Sequence, residues 1–168
     1  MKNVLIPTDL TSQTLKHMDA VPQIFPKEKL NILLIHFIKM SDSITEMLLL
    51  SHRTREQRMI TQGLRDHCED IRRQHGSHIQ SVNIDFFYGS TAAMFQDFIE
   101  ANAVSAILFN SAYTYKKACK NSADPVRLIM RSGAPLYDVQ KLQVKKAQDE
   151  LLNTEMLIDT PFSLPVNQ

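Results

Sequence analysis

The sequence predicts an α/β domain, a three-layer architecture built on a doubly wound sheet of five parallel strands. Three observations carry the prediction. Apolar runs of strand length alternate with stretches of helical periodicity, one run is apolar almost throughout, and consecutive runs are far enough apart for a helical crossover. At 168 residues and 43% hydrophobic content, the chain is sized for a single core.

Val4-Leu5-Ile6 is the first strand. Pro7-Thr8-Asp9 turns the chain, Thr11 or Ser12 caps a helix, and Leu15, Met18, Val21 and Ile24 place its apolar face at helical spacing before Pro26 ends it. Leu30 to Ile38 is nearly continuously apolar, as a strand covered on both faces should be. From Ser41 to His75, the residues Ile44, Met47, Leu48, Met59, Ile60, Leu64, Cys68 and Ile71 form a helical stripe. The polar stretch from Ser51 to Glu56 interrupts that stripe, so the region is either one long helix or two pieces, with Gly76 as its C-terminal cap.

Val82, Ile84, Phe86 and Tyr88 alternate with Asn83, Asp85 and Phe87, the pattern of a strand near a sheet edge. Met94, Phe95, Phe98, Ile99 and Ala101 give the next helix, and Ala106 to Phe109 a fourth strand. A loop follows, then Asp124-Pro125 as an N-cap with proline at the first helical position, and a helix to Gly133. Pro135 to Val139 is a short last strand of edge character. Two regions result: an α/β domain over 1–140 and a C-terminal extension over 141–168, in which Leu142, Val144, Ala147, Leu151 and Leu152 mark one weakly amphipathic helix. Ligands of such a sheet are expected at the carboxyl ends of the strands.

The net charge of +1 lacks the broad positive field that non-specific nucleic-acid binding needs, so no nucleic-acid partner is expected. Two cysteines, Cys68 and Cys119, form no CxxC pattern, which argues against a disulfide framework or a structural zinc site. No run approaches a membrane span or a signal peptide, and a cytoplasmic protein with no membrane association is expected.

Val4 to Thr11, then Leu33 to Phe37, then Tyr88-Gly89-Ser90, and finally Ala134 to Val139 resemble, in order and spacing, the universal stress protein family over residues 1–140. The resemblance implies an adenine nucleotide alpha hydrolase-like, Rossmann-like sheet. It further implies a homodimer paired through the last strand, here Leu136, Tyr137 and Val139, and a role in stress response without catalysis. Many members of that family bind ATP through a loop of Gly, two residues, Gly, nine residues, Gly, then Ser or Thr after the fourth strand. Its glycines let backbone N–H groups approach phosphate, and the next helix N-terminus adds partial positive charge.

In this chain Asn110, Tyr113 and Asn121 stand where the three glycines would be, the second interval is seven residues long, and only the terminal hydroxyl, Ser122, is kept. Tyr113 adds a ring where the pattern wants bare backbone. Asp124 puts a carboxylate at the helix end where phosphate would sit, and the two anions repel. The nucleotide site is therefore read as vestigial, with Asp9, Phe37, Asn110, Tyr113, Lys117, Asn121 and Ser122 as its remnants and no bound cofactor, neither ATP nor AMP, expected.

Asp9 matches the family's acidic residue at the end of the first strand; taken alone, it reads as a turn or cap residue. Phe37 corresponds to a position whose backbone faces adenine, while its side chain reads as core. Lys116, Lys117 and Lys120, with Tyr113 and Tyr115, make either a solvated surface loop or a side-chain anion site. The six histidines read as surface residues, not metal ligands, Cys119 as an exposed, oxidation-sensitive thiol among lysines, and Cys68 as packing. No catalytic triad order, Walker lysine loop or paired carboxylates can be assembled, so no enzyme is expected. The reading is a homodimeric regulatory or interaction protein in stress response that does not bind ATP; the alternative is a nucleotide- or anion-binding switch using the altered loop.

Overall fold

Branched and aromatic side chains in short runs form the strands, and the alternation of their side chains divides the core in two. The computed structural model describes residues 1–40 and 52–158. Its strands are β1 (Lys2–Pro7), β2 (Leu30–Ile38), β3 (Ile79–Tyr88), β4 (Val104–Phe109) and β5 (Leu136–Asp138). All adjacent pairs are parallel, in the order β3-β2-β1-β4-β5. This is the predicted five-stranded sheet, with β3 and β5 at its edges as their patterns required.

Three short pieces connect β1 to β2: α1 (Ser12–Leu15), a 3-10 turn (Lys16–Ala20) and α2 (Val21–Ile24). The single helix expected there is broken for a physical reason. Pro22 has no N–H to return to the Met18 carbonyl, and Val21 N–H takes that carbonyl instead in a tighter turn. Between β2 and β3 lie α3 (His52–Met59) and α4 (Gln62–Gln74). They are two pieces because Thr61 caps α4, its hydroxyl accepting from Leu64 N–H at 3.2 Å. His75 and not Gly76 closes α4. Ile44, Met47 and Leu48 of the expected stripe lie outside the described residues.

Helix α5 (Ala92–Ala101) connects β3 to β4, α6 (Val126–Ile129) connects β4 to β5, and α7 (Val139–Ile158) follows β5 directly. The cap of α6 falls one residue later than expected: Pro125 is the cap, and the Asp124 carboxylate accepts Val126 N–H at 2.9 Å. Gly133, at φ +74°, makes the turn into β5 in a conformation that L side chains rarely adopt. α7 runs through the boundary expected at residues 140 and 141, and the prolines Pro161 and Pro165 lie outside the described residues.

Val4 and Ile6 of β1 and Ile32 and Leu34 of β2 pack on one face with Leu15, Met18, Val21, Leu64, Cys68 and Ile71. Leu5, Ile35, Phe37 and Ile107 pack on the other with Phe95, Ile99, Leu128 and Ile129. Connections running β1 to β2 to β3 thus cover one face and those running β3 to β4 to β5 the other. The winding reverses between β1 and β4, where open α/β sheets leave a crevice at the strands' carboxyl ends.

Candidate functional site

β1 ends in Thr8-Asp9-Leu10-Thr11, a turn held by its own side chains. The Thr8 hydroxyl accepts Leu10 N–H at 3.0 Å and shares a 2.8 Å hydrogen bond with the Thr14 hydroxyl. Leu10 is held at φ +64°, a strained value for a branched side chain. Asp9 Oδ1 accepts Thr11 N–H at 3.1 Å and the Thr11 hydroxyl at 2.6 Å, which is the turn role its residue type predicts.

The second oxygen of Asp9 reaches across the crevice. Asp9 Oδ2 accepts the Tyr113 hydroxyl at 2.6 Å and the Lys116 backbone N–H at 3.0 Å. Burial alone would raise the Asp9 carboxyl; the hydrogen bonds from Thr11, Tyr113 and the Lys116 N–H outweigh it and hold the group below its ordinary value. Tyr113 is pushed up in turn, by burial and by its bond to Asp9. Its ring also meets the edges of His17, at 5.5 Å, and of Tyr115, at 5.0 Å.

The far end of the loop 110–125 lies across the end of β2. Lys39 N–H donates to the Asn121 carbonyl at 2.8 Å, Ala123 N–H donates to the Phe37 carbonyl at 2.9 Å, and Ile38 and Ser122 form an antiparallel bridge. The Ile38 carbonyl takes Gly89 N–H at 3.2 Å. The last carbonyls of β2 are thus occupied by the chain itself, including the one that the family resemblance would turn toward adenine.

His36 fastens the same segment from below. Its Nδ1 lies 2.8 Å from the Thr8 carbonyl and its Nε2 2.9 Å from Ser122 Oγ. A carbonyl only accepts, so Nδ1 carries the proton, Nε2 of the neutral ring accepts the Ser122 hydroxyl, and Ser122 Oγ accepts Cys119 N–H at 3.0 Å. A serine hydroxyl on a histidine nitrogen is part of a nucleophile's machinery. Here His36 is 2% exposed and Ser122 6% exposed, and the pair joins the loop to β1 and β2 as a latch. Burial lowers the His36 pKa against the opposing hydrogen bond to Thr8 and the charge of Asp9. His17 is lowered by burial in the same way.

Of the residues singled out in the sequence, the structure brings Asp9 and Tyr113 into contact and gathers Phe37, Asn121 and Ser122 at the end of β2. The Asn110 side chain accepts Ala112 N–H at 3.0 Å and its carbonyl accepts Tyr113 N–H at 3.2 Å, which starts the loop as a turn. Lys117 stands apart, exposed with Lys116 and Lys120 on the outer side of the loop. The Phe37 side chain is core, packed against Phe87 and Phe95.

Three expectations are corrected. His17 and His36 are buried, not surface residues. Cys119 is half-buried against the core, its Sγ 3.5 Å from Ser122 Oγ. Val139 belongs to α7 and points into the core, so it is not a residue of the last strand's edge. A Ser–His pair does form, although no serine and histidine stand in a suggestive order in the sequence. Cys68 packs as expected, and burial pushes its thiol up to about 11.

Thr8, His36 and the Lys116 N–H escaped the sequence reading. Only His36 left a signal, as the one titratable residue inside the apolar run of β2. At the root of the loop, Asp138 Oδ1 accepts both Ser111 N–H and Gln140 N–H, each at 3.1 Å. Among the described residues no cluster of His, Cys, Asp or Glu could hold a metal ion, and no helix is long and apolar enough to cross a membrane.

No family model matches the sequence, and no curated protein matches it. Solved structures do. A hypothetical protein, PH0823, matches over 82% of this chain and 94% of its own, at 18% identity and a TM-score of 0.53. The universal stress protein UspA from Lactobacillus plantarum matches over 82% of this chain and 96% of its own, at 10% identity and a TM-score of 0.53. Five parallel strands in the order β3-β2-β1-β4-β5, with helices on both faces, give this chain the universal stress protein fold.

Proposed function

We propose that the chain is a universal-stress-protein-like regulatory or interaction protein of the cytoplasm, homodimeric and without catalytic activity, whose loop 110–125 occupies the place of a nucleotide. The observation that carries this reading is the closure of the crevice by the chain's own groups. Tyr113 and the Lys116 N–H sit on Asp9, and residues 121–123 pair with the end of β2. A nucleotide entering there would have to displace a charge-assisted hydrogen bond and several backbone ones, each of which leaves a costly orphan when broken in a buried place. The Asp124 carboxylate on Val126 N–H supports the same reading, since it fills the helix end that a phosphate would need.

Calorimetric titration with ATP, AMP and a cyclic dinucleotide tests the proposal, with no heat expected from any of them. The rival reading, an anion-binding switch, draws on the exposed lysines Lys116, Lys117 and Lys120. Binding of any of these ligands that is lost in Lys117→Ala would establish the rival and end the closed-crevice reading.

A further inference from the structure

Helix α7 is the part of the chain least accounted for by the fold. At twenty residues it is about 30 Å long. Val139 anchors it in the core, yet every residue from Gln143 to Met156 is exposed, with Leu151 at 66% and Met156 at 74%. Its exposed stretch, Gln143 to Met156, is within the length at which a helix without tertiary packing is marginal in water, about 12–15 residues, so its free face calls for a cover.

The charges specify which cover. Lys141, Lys145 and Lys146 occupy the first half of α7, and Asp149, Glu150 and Glu155 the second half. This order opposes the helix dipole, which favours acidic residues near the N-terminus and basic ones near the C-terminus. The ion pairs among the described residues lie elsewhere and leave these six charges unused. Val144, Ala147 and Leu151 recur on one stripe at spacings of three and four, and the small Ala147 lies at its middle, where two helices could approach closely.

We propose that α7 is the self-association surface of this protein, pairing antiparallel with α7 of a second copy about a two-fold axis near Ala147 and Gln148. That register sets Lys145 and Lys146 of one copy level with Glu150 and Asp149 of the other, Lys141 level with the turn that carries Glu155, and Val144 level with Leu151. The opposed dipoles then compensate each other. A parallel pair would set lysines against lysines and carboxylates against carboxylates, so charge selects the orientation. The edge strand β5 is a poorer pairing surface, with three residues and with Val139 turned inward. The inference rests on the reading of the chain as a homodimer and is independent of whether the crevice binds a nucleotide.

Sedimentation equilibrium of the full chain tests it. At tens of micromolar and low salt, the wild-type protein is expected at twice the 19.2 kDa chain mass. Lys145→Glu with Lys146→Glu makes the middle of α7 uniformly acidic and should weaken the dimer by at least about tenfold, with circular dichroism reporting an intact sheet. Adding Asp149→Lys and Glu150→Lys to the same chain swaps the two halves and should restore the dimer, which only antiparallel pairing permits. A monomeric wild-type protein, a dimer indifferent to the double substitution, or a quadruple variant that stays monomeric overturns the proposal. A dimer indifferent to the double substitution would point to β5 instead, and none of these outcomes alters the nucleotide titration.

Discussion

The crevice at the carboxyl ends of the strands and the helix α7 are opposite solutions to the same problem of unpaired surface. At the crevice, strand-end carbonyls, a buried histidine and a carboxylate would stand open, and the chain closes them with its own loop. Along α7 the described residues leave everything from Gln143 to Met156 exposed. Closure comes from polar groups that need specific partners, so its loss should be felt in folding stability. The exposed helix presents apolar and charged side chains that water tolerates, so its loss should be felt only in association.

The sharpest way to break this contrast is to remove the hub of the closed region. Asp9→Ala leaves the Tyr113 hydroxyl and the Lys116 N–H without their acceptor and should cost about 3 kcal/mol in urea denaturation. Hydrogen exchange should rise along residues 110–125. A loss below about 0.5 kcal/mol would mean that the loop closes without its anchor.

The next effect belongs to the latch. Ser122→Ala takes away the partner of His36 Nε2 and the acceptor of Cys119 N–H and should cost about 1–2 kcal/mol. A titration of stability with pH sharpens the same point. His36 and His17 are held below the ordinary 6.5 by burial, so the unfolded chain takes up protons that the folded chain refuses. Their contribution is complete above 6.5 and is lost as pH falls through the folded values. The urea midpoint should therefore drop between about pH 7.5 and about pH 5.5, and a flat profile would show that the two rings are charged at no cost.

The smallest effect is expected on α7. Leu152→Ser, measured at submicromolar concentration to keep association out of the reading, should change folding stability by no more than about 0.5 kcal/mol. A larger loss would mean that the helix folds back on its own domain, and the contrast would fail.

Much of this architecture was legible in the residues. The apolar run of β2 announced a strand covered on both faces, and the alternation of β3 announced an edge, because side-chain periodicity is local information. The helix after β1 misled, since its apolar spacing survives a backbone that Pro22 has broken. That Asn110, Tyr113 and Asn121 stand where the family resemblance puts glycines could be read one residue at a time. How the loop fills the crevice could not be read. His36 meets Ser122 across 86 residues and Asp9 meets Tyr113 across 104, and such pairings follow from strand order, which no local pattern encodes.

One oxygen ties the two regions together. Asp138 Oδ1 holds the Ser111 amide near the start of the closing loop and the Gln140 amide in the opening turn of α7, with no spacer between β5 and the helix. Loss of that one carboxylate would therefore orphan an amide at the root of the loop and another at the stem of the helix together, so a single side chain moors both the seam that seals the sheet and the rod that reaches outward.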